Sequence, residues 1–262
     1  MNLHRIYGLL LRYYYLFIHS FERLSDAFYW PVIDLLMWGL TGSYFVRSFA
    51  GANSNVMFII ISGILFWLIA WRGQYEITVG LLEELWNRNL VNLFVAPLKF
   101  SEWVFSFVII GIIKAIISFS FALLIAFVLY KINVLTFGLY LFPFGALLIM
   151  TGWWVGFLVA GIILRYGTKV QTLAWSMIAV LSPFVGIYYP ISILPMWAQR
   201  ISAIIPVTYV FEDGREFIAK GTIDPTKLYI SLALNILYIV LSLIYLKKSF
   251  NSVLNKGLIK VD

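Results

Sequence analysis

The chain has 262 residues, of which 62% are hydrophobic and 12% charged, where a soluble domain carries about a quarter charged residues. That places it in the bilayer, with room for about six spanning helices of roughly 20 apolar residues each and none for a separate soluble catalytic domain. The net charge of +7 is dispersed rather than gathered into a basic face, which excludes nucleic acid as a partner and points to topology-setting Lys and Arg that meet membrane lipid; the absence of cysteine excludes disulfides and thiolate chemistry.

Residues 1–27 do not read as a cleaved signal, because Arg12 interrupts the apolar run and no small-residue cleavage site follows it. At 100° per residue Arg5, Arg12, His19, Glu22, Arg23 and Asp26 share one face, while Leu10, Leu11, Tyr14, Phe17, Ile18 and Phe21 lie largely elsewhere. The pattern predicts an N-terminal amphipathic helix lying in the membrane interface.

Hydropathy then predicts six transmembrane helices within 28–246: 28–46, 56–82, 103–130, 135–164, 170–189 and 228–246. Pro31 falls in the first turn of the first of these, where a missing N–H is harmless. Residues 247–262 are expected to form a cytoplasmic tail. Between the second and third helices lies a charged, amide-rich island, residues 83–102, with Glu83, Glu84, Asn87, Arg88, Asn89 and Asn92 wanting water. Its Leu90, Leu93, Phe94 and Val95 want an apolar partner, so the island reads as a docking element rather than a connector. Before the sixth helix, residues 190–226 hold four prolines, Pro190, Pro195, Pro206 and Pro225, and apolar pieces too short to span. These predict short broken helices dipping into one leaflet.

Orientation follows from the distribution of Lys and Arg. With both termini cytoplasmic, the inner segments hold Arg5, Arg12, Arg23, Arg88, Lys99, Arg165, Lys169, Lys247, Lys248, Lys256 and Lys260. The outer segments hold only Arg47, Lys131, Arg200, Arg215, Lys220 and Lys227. The island at 83–102 is therefore expected in the cytoplasm.

Arg72, Glu76 and Lys114 are the charges deepest within the spans, and a charge at that depth faces protein or a wet cavity. Arg72 and Glu76 are four apart on one helix face, and Lys114 lies little more than a turn deeper on the next helix, within reach of Glu76. An ion pair that fixes packing, a substrate-contacting or gating group, and a proton relay all fit these three. Asp34, two turns into the first span, reads as an interior hydrogen-bonding or interfacial carboxylate. No histidine pair at metal-ligand spacing, phosphate-cradling glycine loop or nucleophile elbow is present. Trp30, Trp38, Tyr44, Trp67, Trp71, Trp153, Trp154, Trp175, Tyr188, Tyr189, Trp197 and Tyr209 form an aromatic set larger than two interfacial belts need. Helix packing accounts for such a set, and so does a cavity of aromatic faces suited to sugars, lipid chains or flat amphipathic molecules.

Three motifs resemble the permease subunits of the second class of bacterial ABC exporters, which move polysaccharides, lipids, drugs and antibiotics. They are ELWNRNLVNLFVAPLKFSEW between helices two and three, LRYGTKVQTLAW entering helix five, and SPFVGIYYPISILPMWAQRISAIIPVTYVFEDGRE from Ser182 to Glu216. The resemblance implies an all-α membrane protein in the cytoplasmic (inner) membrane, working as a homodimer with two copies of a cytoplasmic ABC ATPase. ATP and Mg would bind that ATPase, and this chain would hold no cofactor and catalyse nothing itself. It also implies a coupling segment over 83–100, with Glu84, Arg88, Asn89, Leu90, Leu93 and Phe94 as contacts. Helices over 191–220 would form an outer gate with Tyr188, Tyr189, Pro190, Pro195, Trp197, Pro206 and Arg215. Permeases of the polysaccharide branch carry an Arg-Asp pair after helix four, where this chain has Arg165-Tyr166-Gly167-Thr168. A lipid-like or amphipathic cargo is therefore expected ahead of a lipid-linked polysaccharide. The competing expectation is an ion-coupled secondary transporter working through Arg72, Glu76 and Lys114, which inverted repeats would support and none is seen.

Overall fold

The computed structural model describes residues 2–48, 55–89 and 98–256, and these are helical with no strand among them. Helix α1 (Leu3–Ile18) starts at Asn2, whose side chain accepts from the His4 amide, and buries Ile6, Leu9 and Tyr13. The amphipathic stretch does not continue as one helix to residue 27. Ser20 breaks it, its hydroxyl accepting from the Arg23 amide at 3.4 Å in the manner of an N-cap, and α2 (Phe21–Ser48) begins there. Glu22, Arg23 and Asp26 thus belong to the first turns of the next helix.

This earlier start moves Pro31 from a first turn into a helix interior. A proline there leaves the carbonyl four residues back without its helical donor. That carbonyl is Ala27 O, and the fully buried Ser118 hydroxyl of α4 (Phe100–Tyr130) donates to it at 3.0 Å. The neighbouring helix supplies what the proline removes, as an apolar surrounding requires.

Helix α3 (Asn55–Trp86) and helix α5 (Leu141–Tyr166) form the centre of the molecule. They approach through glycine: a Cβ on Gly152 would lie 2.3 Å from the Ala70 carbonyl oxygen, so no other residue fits without moving a backbone. Helix α5 is entered through a 3-10 stretch (Val134–Tyr140), and α9 (Pro225–Lys256) packs on its other side. Buried Asn235 of α9 donates to Leu147 O and accepts from the Thr151 hydroxyl, both on α5.

The predicted fifth helix, 170–189, is shorter than expected. Regular α-helix covers only α6 (Leu173–Leu181), preceded by a 3-10 turn (Gly167–Val170) and followed by turns to Tyr189. Pro183 removes an amide donor and Gly186 sits at φ +75°, so helical hydrogen bonding cannot run on. Two short helices follow, α7 (Met196–Ala203) behind Pro195 and α8 (Pro206–Lys220) with Pro206 in its first turn.

By length and composition, four stretches are suited to crossing a membrane among the described residues: Val56–Trp86, Phe100–Tyr130, Val134–Val170 and Pro225–Val253. Helix α2 is long enough at 28 residues but falls outside that set, and it carries Glu22, Arg23, Asp26, Asp34 and Arg47.

Candidate functional site

Three helices, α2, α3 and α4, bring charge together. Arg72 and Glu76 project from one face of α3, a turn apart, toward α2 and α4. Arg72 is only 1% exposed, and its Nη1 lies 2.7 Å from Asp26 Oδ2 and 3.8 Å from Glu76 Oε1. Its second terminal nitrogen donates to the Asp26 carbonyl. Lys114 Nζ of α4 meets Glu76 Oε2 at 2.6 Å. Two carboxylates thus face two cations, and the four-membered network is neutral. Arg72 also lies over the rings of Trp71 and Tyr75, 5.3 and 5.5 Å from their centroids. Asp26 is the member that sequence reading missed. It stood at the end of a supposed interfacial helix, and the Ser20 cap was the signal that it begins another.

Two cavities adjoin this network. The first, about 360 Å³, is polar and lined by Glu22, Arg23, Asp26, Glu76, Glu83 and Lys114, with Tyr13, Phe107 and Trp86 among its walls. The second, about 480 Å³, is aromatic. Asp26, Trp30 and Asp34, four apart along α2, supply one wall; Trp67, Trp71 and Tyr75, four apart along α3, supply another, and Trp175 of α6 completes it. The i, i+4 spacing puts each set on one helix face. Asp26, Tyr75 and Trp175 line both cavities, so the polar and aromatic spaces are neighbours that share these side chains.

Helix α6 is fastened to α3 at this level by two neutral side chains that sequence reading passed over. The Thr78 hydroxyl donates to the Ala174 carbonyl at 2.9 Å, and Gln74 Nε2 donates to the same oxygen and to Thr78 Oγ1. Buried amides and hydroxyls within an apolar helix were the available signal.

The end of α3 is clasped by α1. Arg12 pairs with Glu84 at 2.8 Å, the Tyr13 hydroxyl donates to Glu84 Oε1 at 3.1 Å, and Asn89 Nδ2 donates to Glu84 Oε2 at 2.7 Å. Burial together with the Glu84 charge pushes the Tyr13 phenol well above its ordinary range. Arg23 of α2 pairs with Glu83 at 2.7 Å. Across the loop, buried Glu102 caps α4 by accepting from the Lys99 amide and also accepts from the Asn2 amide at 2.7 Å. Glu84, expected as a docking contact, is therefore turned inward and only 2% exposed, because α1 supplies its cation. Arg88 is exposed, in a left-handed turn at φ 52°. Leu90, Leu93 and Phe94 lie outside the described residues.

The residues assigned to an outer gate gather around the turn after α6. Tyr188 stacks on Trp38 of α2 with centroids 4.0 Å apart, and the Tyr189 hydroxyl donates to Pro183 O. Glu212 of α8 accepts from Arg215 at 2.6 Å and from the Ile191 amide at 3.1 Å, tying α8 to the chain after Pro190. Trp197 is exposed, its ring edge-on to Phe184. Pro195 and Pro206 start helices and do not line either cavity. Asp213, buried on α8, accepts from the Asp224 amide, and burial raises its carboxyl above the usual carboxylate range.

A bundle of long apolar helices, with a neutral buried charge network beside a polar-to-aromatic cavity, is the build of a multi-pass membrane transport component. The chain belongs to the ABC-2 type transporter family, whose model matches residues 17–216. It is thus a permease subunit of an ABC transporter, and the family works with an ABC ATPase partner. No match to a curated protein was found.

Proposed function

We propose that this chain forms the translocation path of an ATP-driven exporter for a lipid-like or amphipathic small molecule. The observation that carries the reading is the adjacency of the two cavities. A polar chamber and an aromatic one share Asp26, Tyr75 and Trp175 as lining, which suits a cargo with a polar head and an apolar body. A lipid-linked polysaccharide is the second reading within the family, favoured by the same aromatic faces.

The complex is read as a homodimer of this chain with two ATPase subunits in the inner membrane. Six passes are counted by adding α2 and the broken element containing α6 to the four apolar stretches, with both termini cytoplasmic on the Lys and Arg bias. In that frame the ATPase grips residues 83–100 and binds the ATP and Mg. Movement reaches α1 through Arg12–Glu84 and the cavity through α3, while the turn at Tyr188 to Pro190 with α7 and α8 closes the outer end. The charge network holds α2, α3 and α4 in register around the path.

The test is transport into inside-out membrane vesicles from cells making the chain with its ATPase, using a fluorescent lysophospholipid as probe. ATP-dependent uptake that survives collapse of the ion gradients supports the reading. Uptake by the purified chain alone, abolished by an ionophore, assigns it instead to secondary transport.

A further inference from the structure

The charge balance of the aromatic cavity singles out Asp34. The adjoining network is neutral, with Asp26 and Glu76 facing Arg72 and Lys114 at ion-pair distances. Asp34, one of two carboxylates on the cavity wall, has neither an ion pair nor a hydrogen bond among the described residues. It stands one helical turn from Trp30 on the same face of α2, opposite Trp67 and Trp71 of α3. A carboxylate without a counter-ion among aromatic faces is the combination that recognises an organic cation, the rings attracting the charge and the carboxylate neutralising it. The chain already uses these rings so, since the Arg72 guanidinium lies over Trp71 and Tyr75. A neutral lipid or a sugar would leave the Asp34 charge uncompensated in a largely apolar wall.

We propose that the cavity takes a lipophilic organic cation, with Asp34 as its counter-ion and Trp30, Trp67 and Trp71 as the surfaces that meet its apolar groups. This rests on the amphipathic-cargo reading and narrows it to one sign of charge.

The test uses the full chain in lipid nanodiscs, with tetraphenylphosphonium and tetraphenylborate, two ions of nearly equal shape and opposite charge. Equilibrium dialysis against empty nanodiscs reads the binding of each. The cation is expected to bind specifically and the anion not to compete. Asp34→Asn weakens the cation by about ten-fold, Asp34→Glu retains most of the affinity, and Trp30→Leu lowers it several-fold through the ring rather than the charge. Because Asp34→Glu and Trp30→Leu keep the carboxylate, they carry the test should Asp34→Asn fail to fold. Equal binding of the two ions, or cation binding unchanged in Asp34→Asn, overturns the cation assignment and leaves the amphipathic reading standing. Specific binding of neither ion also overturns the cation assignment, while the amphipathic reading falls only if lysophospholipid uptake into the vesicles fails as well.

Discussion

Arg72 is the residue on which the site's stability turns. Its guanidinium is buried, and its direct partner is Asp26 at 2.7 Å, with Glu76 more than an ångström farther away. Breaking a buried pair by removing one partner leaves an uncompensated charge, at a cost of about 3–5 kcal/mol. Asp26→Asn is therefore expected to lower the thermal unfolding midpoint strongly. Glu76→Gln is expected to lower it less, because Lys114 is 18% exposed and its long stem reaches toward water. A larger drop for Glu76→Gln than for Asp26→Asn, read by the same thermal scan, contradicts this ranking. The contact between Lys114 and Glu76 was legible in the sequence, since counting turns from the shared ends of consecutive antiparallel helices sets their depths. Asp26 was not, because its partner lies 46 residues away and its helix began about two turns earlier than hydropathy suggested. Glu84 was misread for a related reason. An acidic side chain beside a docking loop looks solvated until the cation brought by α1 is known.

At the scale of elements, hydropathy located the long helices well because an apolar run long enough to span is a strong signal. It failed where the backbone, not the side chains, decides. Pro183 and Gly186 end α6 early, and both stood in the sequence inside an otherwise apolar stretch. The converse case is Pro31, which sits inside a helix with Ser118 donating to the freed Ala27 O. That compensation joins residues on two helices and has no sequence signature. Ser118→Ala leaves the carbonyl without a donor and should destabilise by about 1 kcal/mol. Hydrogen exchange of the α2 amides near Ala27, measured by mass spectrometry, should quicken in this variant while α9 is unaffected. Unchanged exchange around Ala27 would show that the proline's vacancy is filled some other way.

At the scale of the whole molecule, the inner and outer assignment rests on a charge bias that local structure neither requires nor forbids. The absence of cysteine makes it directly measurable. Lys131→Cys, placed after α4, should react with an impermeant maleimide from outside the cell. Lys169→Cys, in the turn before α6, should react only after the membrane is opened. The opposite pattern inverts the topology and puts the 83–100 segment on the wrong side for an ATPase. The family was legible in three motifs, whereas the cavity pairing was not, since it requires α2, α3 and α6 side by side. If an ATPase drives this chain through the 83–100 segment, the two proteins should co-purify. The tagged permease, co-expressed with its ATPase and extracted in mild detergent, should retain that subunit with vanadate-sensitive ATP hydrolysis. The Leu93→Asp variant should reach the membrane at normal levels yet lose both. Full retention of the ATPase by Leu93→Asp would contradict the account.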